Sequence, residues 1–184
     1  LIEEDGSFSQ YSLNYHRMAL DTFSIAEIWR MRLGRDRFSP VFYDRASGAT
    51  SWLYQMVCPL SGHGPNLGAN DGSHLLQLTE SCYRDFRPSV QLASNLFEGR
   101  LAYPNNGLWD THLAWMGIVN KETKPSQYVN CDYDSGGYKI LRSTDATAIF
   151  RFPKFRYRPS QADAMHIDLW VNGTNFLVDA GSYS

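Results

Sequence analysis

The apolar positions change their spacing near residue 130. Before it they recur with helical period: Met18, Ile25, Trp29 and Leu33 fall on one stripe, and Phe23, Ala26 and Ile28 widen it. Ser12 suits a helix start and Gly34 a helix stop. The spacing therefore predicts a helix between them, apolar on several sides and buried among other helices. A second helix is predicted from about Pro40 to Val57, with Pro40 in its first turn and Pro59 barring continuation. A third runs from about Pro88 to Phe97, and a short fourth covers Asp110 to Met116.

After residue 130 the period shortens to two. The runs YKILRS and ATAIFRF flank a Ser143-Thr144-Asp145 turn. Ala164 to Val171 and the run TNFLVD flank Asn172-Gly173, a strong hairpin signal. The predicted fold class is α+β and multidomain. An α-helical domain over 1–117 is joined through 118–135 to antiparallel strands of a β-sandwich over 136–184.

Composition narrows this picture only a little. The 184 residues, 43% hydrophobic and 20% charged with net charge −2, suffice for one medium domain or two small ones. No apolar run approaches a membrane span, and no basic tract would bind nucleic acid by charge. Cys58, Cys82 and Cys131 fit neither a disulfide framework nor a zinc ribbon. The chain begins at Leu1 without a signal peptide and stops at Ser184 just after a predicted strand, so both ends read as cuts through a longer protein.

Three stretches carry candidate chemistry. In SLNYH, residues 12–16, a Ser12 cap places Asn14, Tyr15 and His16 in the first helical turn. Free backbone N–H groups and the helix dipole favour a carboxylate or phosphate there. Asn14 can donate a hydrogen bond and His16 can donate or take a proton. In HGPNLGANDG, residues 63–72, Asn66, Asn70 and Asp71, with His74 beyond, are positioned to line a polar cleft. The spacing matches neither a phosphate loop nor a calcium loop. In KFRYRPSQADAMH, residues 154–166, Lys154, Arg156 and Arg158 share a strand face, a cationic row suited to a polyanion. His166 and Asp168 share a face further on, and Gln161 and Asp163 share the other.

Together EEDGSFSQYSLNYHRMALD, GPNLGANDG and QADAMHIDLWVNGTNFLVDAGSYS resemble the heparinase II/III family of polysaccharide lyases. The resemblance implies an incomplete α/α toroid followed by the start of a β-sandwich. It implies β-elimination on a uronate-bearing polysaccharide by a periplasmic or secreted protein. A uronate C5 proton is barely acidic, so its carboxylate must be neutralised before a base can remove it. By resemblance Asn14 and His16 would hold that carboxylate, with His16 doubling as base. Tyr15 and His166 complete the proposed catalytic set. Asn66, Asn70, Asp71, Arg87, Arg156, Arg158 and Gln161 would bind the acidic polysaccharide. Leu67 stands near the position of a family tyrosine, for which Tyr15, Tyr83 or Tyr183 are substitutes. Pro159 and Gln161 replace the histidines of a His-x-His-x-Asp pattern that keeps only Asp163, so no cofactor is expected and no metal ligand is assigned. Two rivals follow: a homologue that binds acidic exopolysaccharide during assembly or export without cleaving it, and a glycoside hydrolase using Asp71 and Asp85.

Overall fold

The computed structural model describes residues 1–120, 125–154 and 163–181. Helix α1 spans Leu13–Arg32, and Ser12 caps it by accepting a hydrogen bond from the Tyr15 N–H at 3.1 Å. Helix α2 spans Pro40–Met56, with Ser39 as its cap and Pro40 at its first position. Helix α3 spans Arg87–Ala93 and runs on as a wider turn over Ser94–Glu98, which Gly99 ends in the left-handed region. A 3₁₀ turn at Leu108–Asp110 leads into α4, Thr111–Trp115. All four predicted helices are present, with ends shifted by a few residues.

Five strands follow: β1 Cys131–Tyr133, β2 Tyr138–Arg142, β3 Ala146–Arg151, β4 Ile167–Val171 and β5 Thr174–Leu177. They form one antiparallel sheet in the order β1-β2-β3-β4-β5. The sequence pattern did not point to β1, which has only three residues and no alternation. Asn172 and Gly173 both adopt positive φ between β4 and β5, as a tight hairpin turn requires.

The inner sheet face carries Tyr138, Ile140, Ile149, Arg151, Asp168 and Trp170, all buried. Tyr138, Ile140 and Ile149 share one core with Leu20 of α1, Trp52 and Leu53 of α2 and Val90 of α3. The Trp52 and Tyr138 rings meet edge to face at 5.3 Å. Helices and sheet are therefore bonded by a common apolar interior. Asp5 adds a polar tie, accepting from Ser135 N–H at 2.8 Å.

Helix α1 buries a different face from the predicted stripe, although Leu13, Leu20 and Ile28 are buried. Trp29 and Leu33, on the apolar stripe, are 64% and 68% exposed, while Asn14, Arg17, Asp21 and Ser24 are buried. Those four follow an i, i+3, i+7, i+10 spacing, so a polar stripe faces inward. Some of these polar groups find partners there: Ser24 Oγ donates to the Leu20 carbonyl, and Arg17 donates to two oxygens, whereas neither Asp21 carboxylate oxygen has a hydrogen-bond partner among the described residues.

Candidate functional site

The first turn of α1 and the loop of residues 63–72 build a cleft together. Leu13 N–H donates to the Leu67 carbonyl at 3.2 Å, and Ser12 Oγ donates to the Ala69 carbonyl at 2.5 Å. Gly68 presses against the chain before α1: its φ is +74°, and a Cβ there would fall 2.2 Å from the Tyr11 carbonyl oxygen. Asp163, in the segment before β4, accepts the Gly68 N–H at 2.8 Å and pairs with Arg151 of β3 at 3.1 Å. Arg151 Nη1 also donates to the Tyr11 carbonyl at 3.0 Å. One knot of α1 start, loop and sheet thus fixes the cleft wall.

Asn14, Asn66, Asn70, Tyr83 and Arg84 line the cleft over an apolar floor that includes Leu13, Leu67 and Phe86. Its enclosed volume is about 20 Å³, which admits one water-sized group. A carboxylate tip fits such a space; a sugar ring has to lie across its mouth. Asn14 is 2% exposed. Its Oδ1 accepts from Arg17 Nη2 at 2.8 Å, and its Nδ2 finds no partner among the described residues. Tyr83 donates its hydroxyl proton to Asn70 Oδ1 at 2.6 Å, and Asn70 Nδ2 donates to Asn66 Oδ1 at 2.9 Å. Burial raises the Tyr83 phenol above its ordinary value, and the Arg17 charge opposes that rise.

The other predicted residues lie elsewhere. His16 was expected at the carboxylate, but it is fully buried behind the cleft. Its ring stacks on Trp52 at 4.5 Å, and Nε2 donates to the Ala49 carbonyl at 2.8 Å. Burial lowers its pKa to about 4, so the ring is a neutral core group at ordinary pH. Tyr15 stands at the exposed rim, donating to Asp71 Oδ2 at 2.6 Å. Bonds from Ser73 and Tyr15 hold the Asp71 carboxyl down at about 2. Arg87 is engaged away from the cleft, in a two-bonded pair with Asp85 and over the Trp109 ring at 4.7 Å. His166 lies 3.7 Å from the buried Asp168 and does not line the cleft. Neither Asp71 nor Asp85 lines it, so the carboxylate pair of a hydrolase is not assembled there. Arg156, Arg158, Gln161 and Tyr183 lie outside the described residues.

Sequence reasoning missed Arg17 and Arg84 and left Tyr83 undecided among three tyrosines. The buried polar spacing of Asn14, Arg17 and Asp21 was the available signal for Arg17. Among the described residues no group of three His, Cys, Asp or Glu comes together to hold a metal. Asp163, which survives from the metal-type pattern, is committed to Arg151 and Gly68. Among the same residues, no helix is long and apolar enough to cross a membrane.

No family model matches the chain, and no curated protein matches it. Two solved structures of heparinase III do. One, with methylated lysines, superposes at TM-score 0.72 and the other at 0.70, each with 18% identity over 99% of this chain. The chain spans 26% of the length of those heparinase III chains. The likeness establishes the architecture: helices leading into an antiparallel sheet, arranged as in the corresponding quarter of heparinase III.

Proposed function

We propose that the protein is a polysaccharide lyase that cleaves a uronate-containing acidic glycan by β-elimination. The observation that carries this reading is the meeting of the Asn14 Nδ2 donor, unpartnered among the described residues, and the Tyr83 phenol in one small cleft, on a fold shared with heparinase III. Asn14 Nδ2 donates to the uronate carboxylate, with Arg84 at the mouth supplying positive charge. The enolate-like intermediate is stabilised by the same donors. Tyr83 is the proton-transfer group among the described cleft-lining residues. The phenolate, which burial disfavours and the neighbouring Arg17 charge favours, takes the C5 proton, and the resulting phenol returns it to the departing glycosidic oxygen on the same face. Asn66 and Asn70 hold the phenol and the sugar hydroxyls. Arg156, Arg158 and Gln161 are carried as glycan-binding candidates from the sequence alone. An acidic glycan of this kind places the protein in the periplasm or outside the cell.

A second reading has its own support. Leu67 is a buried floor residue, and no imidazole lines the cleft among the described residues. A homologue that binds acidic exopolysaccharide during assembly or export fits those two facts. Ultraviolet absorbance during incubation of the full-length protein with a panel of acidic polysaccharides separates the readings. Elimination leaves a conjugated double bond, so rising absorbance identifies a lyase and its substrate. Binding by calorimetry with no absorbance change from any glycan identifies the binder.

A further inference from the structure

Arg17 is a costly residue to bury. It is 0% exposed, and its guanidinium packs against the rings of Tyr83 and Phe86, 4.6 Å from each centroid. Nη1 donates to the Tyr83 carbonyl at 2.6 Å and Nη2 to Asn14 Oδ1 at 2.8 Å. The side chain has no exposed surface, so no sugar oxygen reaches it. Its contacts are instead with the two residues to which the lyase reading gives the chemistry.

An amide has one acceptor end and one donor end, and an arginine offers donors only. Arg17 therefore selects the orientation of Asn14: Oδ1 turns inward to the guanidinium, and Nδ2 is left buried, unpartnered among the described residues, in a side chain that lines the cleft. The opposite orientation would face N–H groups against N–H groups. Through the Tyr83 carbonyl the same guanidinium fixes the backbone that carries the phenol.

We propose that Arg17 is the positioning residue of this site, holding the Asn14 amide donor-outward and registering Tyr83 beside it for a carboxylate-bearing ligand. This rests on the lyase reading above. Its test is a double-mutant cycle on kcat/KM in the full-length protein, using the glycan that the wild type cleaves. Arg17→Met and Asn14→Ala are each expected to lower kcat/KM by about a hundredfold, the usual scale for losing one such donor. The double variant is expected to fall clearly short of the product of the two single losses, because Arg17 acts in part through Asn14. Arg17→Lys, which keeps one donor, is expected to recover at least part of the Arg17→Met loss. Multiplying losses, with an active wild type, overturn the proposal and leave the lyase reading standing. A wild type inactive on every glycan overturns both. Should Arg17→Met fail to fold, the same cycle is run with Arg17→Lys. A loss that is present with Asn14 and much smaller in the Asn14→Ala background supports the proposal. An equal loss in both backgrounds overturns it.

Discussion

Replacing Asp163 by Ala tests whether the sheet braces the cleft. Arg151 is 1% exposed on its side chain and Asp163 7%, so the pair is removed from water. Arg151 keeps the Tyr11 carbonyl as a partner, but no other carboxylate pairs with it among the described residues. Removing Asp163 leaves that cation buried without a counter-charge, a loss of about 3–5 kcal/mol. The freed Gly68 N–H loses its acceptor as well, and its cost of about 1–3 kcal/mol overlaps with the first because both act on one knot. The expected total is about 3–5 kcal/mol, a large part of a typical domain's stability of about 5–15 kcal/mol. Urea unfolding followed by tryptophan fluorescence measures it. Asp163→Ala combined with Arg151→Met is expected to recover most of the loss, since the orphaned charge is gone. A loss below about 1 kcal/mol in the single variant, the scale of an exposed ion pair, refutes the reasoning.

Four further outcomes follow from the same geometry. Gly68→Ala places a side chain 2.2 Å from the Tyr11 carbonyl at a φ of +74°, so it is expected to destabilise by at least about 2 kcal/mol in the same unfolding assay. His16→Phe is expected to flatten the acid limb of stability: the folded pKa of about 4 lies below the ordinary 6.5, so the neutral ring contributes stability above pH 6.5 that is lost as pH falls towards 4. One such group is worth about 3 kcal/mol across that window, read from urea midpoints at several pH values. Tyr83→Phe is expected to lower kcat by about 10²–10⁴-fold, the range for losing a general acid–base group. Tyr15→Phe at the rim is expected to cost less than tenfold, as measured by product absorbance, and equal losses in the two would displace Tyr83 from its role.

The fold was legible because its punctuation is local. Ser12, Pro40, Gly99 and Asn172-Gly173 mark boundaries through their own backbone chemistry, and the structure keeps each. The orientation of α1 was not legible. Apolar spacing pointed to Met18, Ile25, Trp29 and Leu33 as its central buried stripe, whereas the interior receives Asn14, Arg17 and Asp21 together with Leu20 and Ile28. Polar residues go inside only when partners converge from elsewhere, and these lie far along the chain: Tyr83 is 66 residues from Arg17. For the same reason SLNYH identified Asn14 but not its neighbour's fate. Asn14 and His16 are two positions apart on a helix, about 200° around it, so one lines the cleft while the other enters the core against Trp52. Burial of Asp21 shows the strain of this arrangement. Its carboxyl is pushed up to about 7 by loss of water, against the opposing influence of Ser89 and Arg17.

The most direct measurement is the mass of the products from a defined uronate oligosaccharide cut by the full-length protein. Elimination consumes no water, so the account predicts two fragments whose masses add up to that of the intact chain. Fragments that add up to the intact chain plus one water, or no cleavage of any uronate-bearing glycan, would contradict it.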